Sequence, residues 1–163
     1  MNKRPNALQR LITRVYMLPI LTPFWARFQR RIDEVFLRVS RNKYSMSEIL
    51  GGISIVQLST IGAKTGRSYT IPLVAAFDEK NIILIASNFG GSHNPGWYYN
   101  LKKNPECHVQ VNGRLGTYTA HEVEGEDREQ YWQAAAANYK GYEMYKKRAP
   151  HRKIPVILLK PVP

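Results

Sequence analysis

The 163-residue chain has few of the residues that build covalent or metal-held sites. Its single cysteine, Cys107, excludes an internal disulfide and a cysteine zinc cluster, and it fits a reducing, cytoplasmic location. Its alternation with Val109 and Val111 predicts a buried position on the apolar face of a strand. The four histidines lack a spacing such as HExxH, so no metal site is expected. The sequence also lacks a GxSxG elbow and a GxGxxG turn. No motif therefore supports a hydrolase or a Rossmann dehydrogenase.

Acidic residues are scarce and uncharged runs are short. The chain has 24 basic and 12 acidic residues, and its formal charge of +12 should attract anions. No RRM, KH or helix-turn-helix signature accompanies this charge, so specific nucleic-acid binding is not expected. The longest uncharged run, residues 15–26, contains two prolines and is shorter than the roughly 20 apolar residues that cross a bilayer. The sequence therefore predicts neither a membrane-spanning helix nor a secretory signal.

Residues 1–50 form a separate pattern, which predicts a basic amphipathic helical arm. Ten basic and three acidic residues place +7 of the +12 charge there. Apolar residues keep helical spacing in two stretches: Leu8, Leu11, Ile12 and Val15, then Phe24, Phe28, Ile32, Val35, Phe36 and Val39. Such an arm either lies on an anionic membrane surface, at the inner face of the cell membrane, or packs on its own domain with the arginines in solvent. Both interpretations stay open.

Residues 51–163 carry strand patterns and form the predicted second unit. The expected strands are 53–60, 69–77, 82–87, 107–111, 115–123 and 154–160. Asn94 and Pro95 predict the start of a helix over 94–103, residues 126–148 are mostly helical, and Asn112-Gly113 predicts a tight hairpin. About six short antiparallel strands with few helices predict an α+β, mainly β fold, a small closed or half-closed barrel with helices outside.

Three segments carry candidate binding chemistry. The turn GAKTGR, residues 62–67, combines two glycines with Lys64 and Arg67, which suits a phosphate or carboxylate, although an ordinary charged hairpin has the same composition. The stretch SNFGG, residues 87–91, precedes a helix N-terminus and the aromatic run WYY. Several tyrosines follow at 131–145. These aromatics suit either a flat ligand or ordinary packing.

Taken together, the motifs IGAKTGRSYTIPL, ASNFGG, NPGWYYNLKKNPECHVQV, ANYKGYEMY and IPVILLKP resemble the deazaflavin-dependent nitroreductase family. These are split-barrel quinone and nitro reductases related to FMN-binding proteins. The likeness covers residues 51–161, about two thirds of the chain. It implies a split β-barrel that holds coenzyme F-420, a deazaflavin with a phosphate and an oligoglutamate tail. It also implies hydride transfer from the reduced ring to a quinone, a nitro compound or a similar acceptor.

The resemblance also implies a set of site residues. The phosphate and tail would contact Lys64, Thr65, Gly66 and Arg67, and this basic turn would meet the Trp97 helix across one groove. The rest of the cofactor site would comprise Pro72, Ser87, Asn88, Phe89, Gly90, Gly91, Trp97 and Tyr98. Tyr139, Tyr142 and Tyr145 would border the acceptor, and one of them or Ser87 would donate a hydrogen bond or a proton. An ordinary tyrosine pKa near 10 favours an orienting role over fast acid catalysis.

Asn88 departs from the family pattern. Some members have a lysine directly after the serine that ends the strand, where this chain has Asn88. This departure leaves open whether the ligand is the deazaflavin or another flavin, so an FMN-dependent reductase is one alternative. Related split barrels also bind FMN, haem or other tetrapyrroles, so a non-catalytic split-barrel carrier is a second. The oligomeric state is not predicted.

Overall fold

The computed structural model describes residues 53–163. The predicted arm over residues 1–50, its two helices and its membrane contact lie outside the described residues, and the boundary between residues 50 and 51 stays a prediction. Most of the described part belongs to one compact unit, Val56–Pro163. In this part of the chain no helix is both long and apolar enough to cross a membrane.

Six antiparallel strands form a closed barrel in the order β1-β2-β3-β6-β5-β4, which confirms the predicted fold class. Each strand is paired with two neighbours; for example, Leu58 of β1 lies opposite Val109 of β4, and Leu84 of β3 lies opposite Ile157 of β6. The strands are β1 Ile55–Ile61, β2 Ser68–Asp78, β3 Asn81–Ile85, β4 Glu106–Val111, β5 Arg114–Val123 and β6 Val156–Pro161.

Three helices accompany the barrel in the described residues: α1 Gly96–Lys103, α2 Gly125–Asn138 and α3 Gly141–Arg148. Residues 126–148 are thus helical as predicted, but Tyr139 and Lys140 interrupt them. Tyr139 has an extended backbone, and its ring lies where a side chain on Gly141 would have to go. The first residue of α3 therefore has to be small, because the Tyr139 ring fills the space beside it.

Two local turn predictions have different outcomes. Asn112 and Gly113 both have positive φ, 49° and 79°, as the predicted hairpin turn requires. The predicted N-cap at Asn94 is wrong: α1 begins at Gly96, and Pro95 occupies the cap position without a side-chain hydrogen bond. The Asn94 side chain is engaged elsewhere, because its Oδ1 accepts a hydrogen bond from Arg152 at 2.6 Å.

The barrel wall separates two hydrophobic cores. Val56, Leu58, Ile82, Leu84 and Val109 are among the residues that fill the interior. The intervening side chains of β3 and β6 pack instead against α2 and α3 in a second cluster: Ile83, Ile85, Val156 and Leu158 with Trp132, Ala135, Tyr142 and Tyr145. Both strands are thus buried on both faces, which explains their unbroken apolar runs.

Helix α1 closes one end of the barrel. Its buried residues, Trp97 and Leu101, belong to the interior cluster. Because the strands are antiparallel, the β1–β2 turn, the segment after β3 and the starts of β4 and β6 all lie at this end, called the α1 end below. The turns at Glu79–Lys80 and Asn112–Gly113 lie at the opposite end.

The predicted buried position of Cys107 is confirmed. The side chain belongs to the interior cluster and is 2% exposed. Its Sγ lies 3.6 Å from the Tyr118 carbonyl oxygen, and burial raises the pKa of the thiol to about 12. The thiolate that would react with electrophiles is therefore scarce at neutral pH.

Candidate functional site

The β1–β2 turn is a compact loop with an ordered backbone. The Gly62 N–H donates to the Arg67 carbonyl at 2.8 Å, and the Gly66 N–H donates to the Gly62 carbonyl at 2.9 Å. Gly66 has a φ of +68°, the left-handed conformation that glycine adopts at little cost. A second constraint comes from Thr65, whose Oγ1 accepts from the Arg67 N–H at 3.3 Å. The turn is therefore held in shape by its own hydrogen bonds.

Helix α1 is bonded to this turn. Asn100 bridges the two, because its Oδ1 accepts from the Ala63 N–H at 2.9 Å and its Nδ2 donates to Thr60 Oγ1 at 3.0 Å. The Lys103 ammonium donates to the Ala63 carbonyl at 2.8 Å. The expected contact between the basic turn and the Trp97 helix is thus confirmed, and a groove shared by the two stays a prediction. Asn100 and Lys103 were missed, although both lie in the NPGWYYNLKKNP motif.

Within residues 53–163, the turn presents side-chain cations and backbone amides that have no protein partner. Lys64 and Arg67 are exposed, and neither belongs to the two ion pairs found within residues 53–163. In the same range, the backbone N–H groups of Lys64 and Thr65 have no protein acceptor. Two side-chain cations and two amide donors side by side can bind an anionic group.

Three consecutive residues after β3 have a left-handed backbone. Asn88, Phe89 and Gly90 have φ of 48°, 56° and 79°. Asparagine and glycine adopt this conformation readily, but for phenylalanine it costs about 1–2 kcal/mol. The Phe89 side chain is half exposed and lies edge-on to Tyr145, with the ring centroids 5.8 Å apart. A strained backbone that exposes an aromatic ring is typical of a binding site.

Gly90 presses directly on α3. A Cβ atom at this position would lie 2.6 Å from the Cβ of Arg148 and 2.9 Å from the carbonyl oxygen of Tyr145. The Gly90 N–H donates to the Ser87 carbonyl, and the Gly91 N–H donates to the Asn88 carbonyl, both at 2.9 Å. Residues 87–91, the left-handed loop, therefore have little room to shift toward α3.

Arg152 joins the left-handed loop to the segment before β6. Its guanidinium donates from Nη2 to the Ser87 carbonyl at 2.7 Å and from Nε to the Gly91 carbonyl at 3.0 Å. The third bond, from Nη1 to Asn94 Oδ1, is 2.6 Å long. Sequence reasoning missed this residue, because Arg152 lies among exposed cations in the segment KKRAPHRK and resembles an ordinary surface charge.

Trp97 and Tyr98, the aromatic residues expected to line the cofactor, have protein partners. Trp97 is 7% exposed and belongs to the barrel interior. The half-buried Tyr98 donates its hydroxyl to Glu122 at 3.1 Å, and the pKa of this phenol is raised by burial and by that carboxylate. Lys102 donates to the same carboxylate at 2.9 Å. Any contact of Trp97 or Tyr98 with a cofactor ring stays a prediction, as does one made by the half-buried Pro72 of β2.

The three candidate tyrosines form one cluster with unequal hydroxyls. Tyr142 is buried, and its hydroxyl donates to the Val74 carbonyl at 3.2 Å. Tyr139 and Tyr145 share a hydrogen bond between their hydroxyls at 3.0 Å, and Tyr145 also contacts Phe89. Burial raises the pKa of all three phenols. Each therefore keeps its proton at neutral pH.

The structure thus gathers most of the predicted residues at the α1 end. The basic turn is bonded to α1, and the left-handed loop contacts α3 through Phe89 and Gly90. Exposed cations and the amides that lack an acceptor within residues 53–163 can bind an anionic tail, and the exposed Phe89 ring can stack on a flat molecule. The residues present therefore fit a phosphorylated flavin or deazaflavin.

Comparison with known proteins agrees with this chemistry. The family model described as "F420H(2)-dependent quinone reductase" matches residues 30–161. The chain belongs to this family. A relative from Mycobacterium tuberculosis, named an F420H(2)-dependent quinone reductase, is 36% identical over 105 residues, which cover 63% of this chain and 70% of the relative.

Solved structures share the fold. One described as "Structure of F420-H2 Dependent Reductase (FDR-A)" is 35% identical and has a TM-score of 0.61. The match covers 66% of this chain and 94% of the chain in that structure. Another, described as a domain-swapped dimer, is 29% identical and has a TM-score of 0.64. The match covers 85% of this chain and 99% of the chain in that structure.

Proposed function

We propose that this member of the F420H(2)-dependent quinone reductase family reduces a quinone with reduced coenzyme F-420, and that the cofactor binds at the α1 end of the barrel. Family membership supports the reaction. The observation that supports the location is the bonding of the cationic β1–β2 turn to α1 through Asn100. The chain is accordingly an oxidoreductase, and a nitro compound is a further candidate acceptor.

The β1–β2 turn is the proposed site for the anionic part of the cofactor. Arg67 can grip a phosphate or carboxylate with two parallel N–H bonds, and Lys64 adds a second positive charge. The amides of Lys64 and Thr65 supply neutral donors at the same place. Because Gly66 tolerates its positive φ and Asn100 holds the turn, these donors are pre-arranged and lose little entropy on binding.

The left-handed loop, residues 87–91, is the proposed wall for the ring. When bound, F-420 supplies a hydride from its reduced ring to the acceptor. The protein's part is to hold the two rings in contact and to exclude water. Phe89 contributes an exposed apolar ring at the loop, and Tyr145 supports it from α3.

The Tyr139 and Tyr145 pair is the proposed hydrogen-bond donor to the acceptor. Their two hydroxyls are 3.0 Å apart, so one hydroxyl donates to the other and the second proton remains available. Their raised pKa values make them orienting donors that stay neutral across the physiological range. Tyr142 is less suited to this role because its hydroxyl already donates to Val74. Ser87, buried at the start of the left-handed loop, is the other candidate donor.

The test of the function is an anaerobic assay with purified full chain, reduced F-420 and menadione. We expect oxidation of F-420 that depends on both protein and quinone. Parallel reactions with reduced nicotinamides and with reduced FMN test the cofactor, and a nitroaromatic compound tests the second acceptor class. Binding of F-420 without turnover would contradict the enzyme and support a carrier, whereas turnover with reduced FMN alone would support the FMN-dependent alternative.

The test of the site is Arg67→Ala, measured by fluorescence titration of F-420. We expect the dissociation constant to rise roughly tenfold or more, because a hydrogen bond to a charged group contributes about 1.5–3 kcal/mol. Lys80→Ala is the matched control, since Lys80 is an exposed cation at the opposite end of the barrel. Equal affinities for the wild type and Arg67→Ala would place the anionic tail elsewhere.

The basic arm carries a separate proposal about location. Its sequence pattern suggests that residues 1–50 bring a cytoplasmic enzyme to the anionic inner face of the membrane, where lipophilic quinones are dissolved. Sedimentation of the full chain with anionic liposomes, but not with neutral ones, is the expected result. Failure to sediment with anionic liposomes would remove the proposal.

A further inference from the structure

Among the residues that the structure describes, the Arg152 guanidinium has three acceptors and no counter-ion. Two acceptors are backbone carbonyls of the left-handed loop and the third is Asn94 Oδ1. Neither ion pair found within residues 53–163 includes this arginine. Because these acceptors are neutral oxygens, the positive charge of the guanidinium is not compensated by them. The three hydrogen bonds fix the orientation of the guanidinium relative to the loop.

The acceptors of Arg152 bracket the strained part of the loop. The Ser87 carbonyl precedes the three left-handed residues and the Gly91 carbonyl follows them. Arg152 therefore bonds to both ends of the left-handed loop. The Asn94 bond adds the segment that leads into α1, so a single side chain fixes the loop relative to the helix that closes the barrel.

We infer that Arg152 is a positioning residue of the cofactor site, which holds the left-handed loop in the conformation that the ring meets. This inference rests on the proposed location of the cofactor. Phe89 adopts its unfavourable backbone conformation only where the surroundings over-determine it. The close contact of Gly90 with α3 limits movement of the loop toward that helix, and the three hydrogen bonds of Arg152 hold both ends of the loop. Arg152 contacts neither reacting atom through these bonds and acts through the loop.

The affinity for the cofactor depends on the fraction of molecules in which the left-handed loop has the binding conformation. When a binding conformation is only fractionally populated, the apparent dissociation constant rises by the inverse of that fraction. If removal of the fork lowers the ordered fraction to about one tenth, affinity for F-420 falls about tenfold. Turnover at saturating cofactor falls less, because bound cofactor selects the ordered loop.

The experiment compares Arg152→Gln, Arg152→Lys and Lys153→Gln in the full chain. Arg152→Gln removes the fork and one charge, Arg152→Lys keeps the charge without the fork, and Lys153→Gln removes an adjacent exposed charge only. Asn94→Ala removes one of the three acceptors of Arg152, and it replaces the arginine variants in the test if they fold poorly. Hydrogen exchange of the Gly90 and Gly91 amides is measured without cofactor, and F-420 affinity is measured by fluorescence titration.

We expect both arginine variants to exchange these two amides at least about tenfold faster and to bind F-420 about tenfold more weakly. Lys153→Gln should match the wild type, and Asn94→Ala should fall between. Unchanged exchange in Arg152→Gln would overturn the inference, and so would accelerated exchange with unchanged affinity. A wild-type chain that fails to bind F-420 contradicts the proposed function instead, while the exchange result still decides whether Arg152 orders the loop.

Discussion

Gly90 and Gly66 have similar backbone conformations in very different surroundings, and this makes them a matched pair for mutation. Both have positive φ, 79° and 68°. A Cβ atom on Gly66 would meet nothing within 4 Å, whereas one on Gly90 would lie 2.9 Å from the backbone oxygen of Tyr145 in α3. Substitution by alanine therefore tests the contact with α3 separately from the conformational cost.

The expected magnitudes differ accordingly. For Gly66→Ala, only the left-handed backbone matters, and the free energy of unfolding should fall by about 1–2 kcal/mol. For Gly90→Ala, the same cost applies, and overpacking against α3 adds about 1–3 kcal/mol. Because the close atom belongs to a helix backbone, a side-chain rotation cannot relieve the overlap. Gly90→Ala should thus lose about 2–5 kcal/mol in all.

Urea unfolding followed by far-ultraviolet circular dichroism measures both values. The two variants should keep the wild-type slope with denaturant and differ in their midpoints. A Gly90→Ala protein no less stable than Gly66→Ala would refute the reasoning, because it would mean that the left-handed loop does not press on α3. The Phe89 contact with Tyr145 would then lose its structural basis as well.

Two further predictions follow from the raised pKa values of three tyrosine phenols and of the Cys107 thiol. The pKa of Tyr139, Tyr142 and Tyr145 is higher in the folded state than the ordinary value of 10.0, so unfolded chains release these protons first and stability should fall as pH rises above about 10. Urea midpoints between pH 8 and 11.5 measure this fall, which should be shallower in Tyr142→Phe; a flat profile would contradict the buried cluster. The thiol of Cys107, with its pKa raised to about 12, should react with iodoacetamide at pH 8 only after unfolding, and rapid labelling of the native protein would show that the site is open.

The strands and their order of appearance follow closely from sequence periodicity and turn chemistry. Asn112-Gly113 specified its hairpin, and the alternation around Cys107 gave the correct buried face. Periodicity could not specify that β3 and β6 are covered on their outer faces, since a continuous apolar run indicates burial without naming the partner. The helical layer over that face became evident only from the packing of Trp132 and Tyr142.

The candidate site was predictable where a motif carried the chemistry and not where tertiary contacts did. The basic turn and the Trp97 helix meet as expected, because both belong to recognisable motifs. Asn94 resembled a helix cap because Pro95 follows it, yet Arg152, 58 residues away in sequence, takes its side-chain oxygen. Local sequence cannot show such a competitor.

The double burial of β3 has a consequence for how the sequence can vary. From Ile82 to Ile85 each side chain faces either the barrel interior or the helical layer, so this strand offers no solvent-facing position at which a polar replacement would be harmless. In β4, buried Cys107 and Val109 alternate with exposed Glu106 and His108. Random mutagenesis with selection for folding should therefore recover no polar replacements from Ile82 to Ile85 of β3. In β4 it should recover them at alternate positions, at Glu106 and His108 but not at Cys107 and Val109.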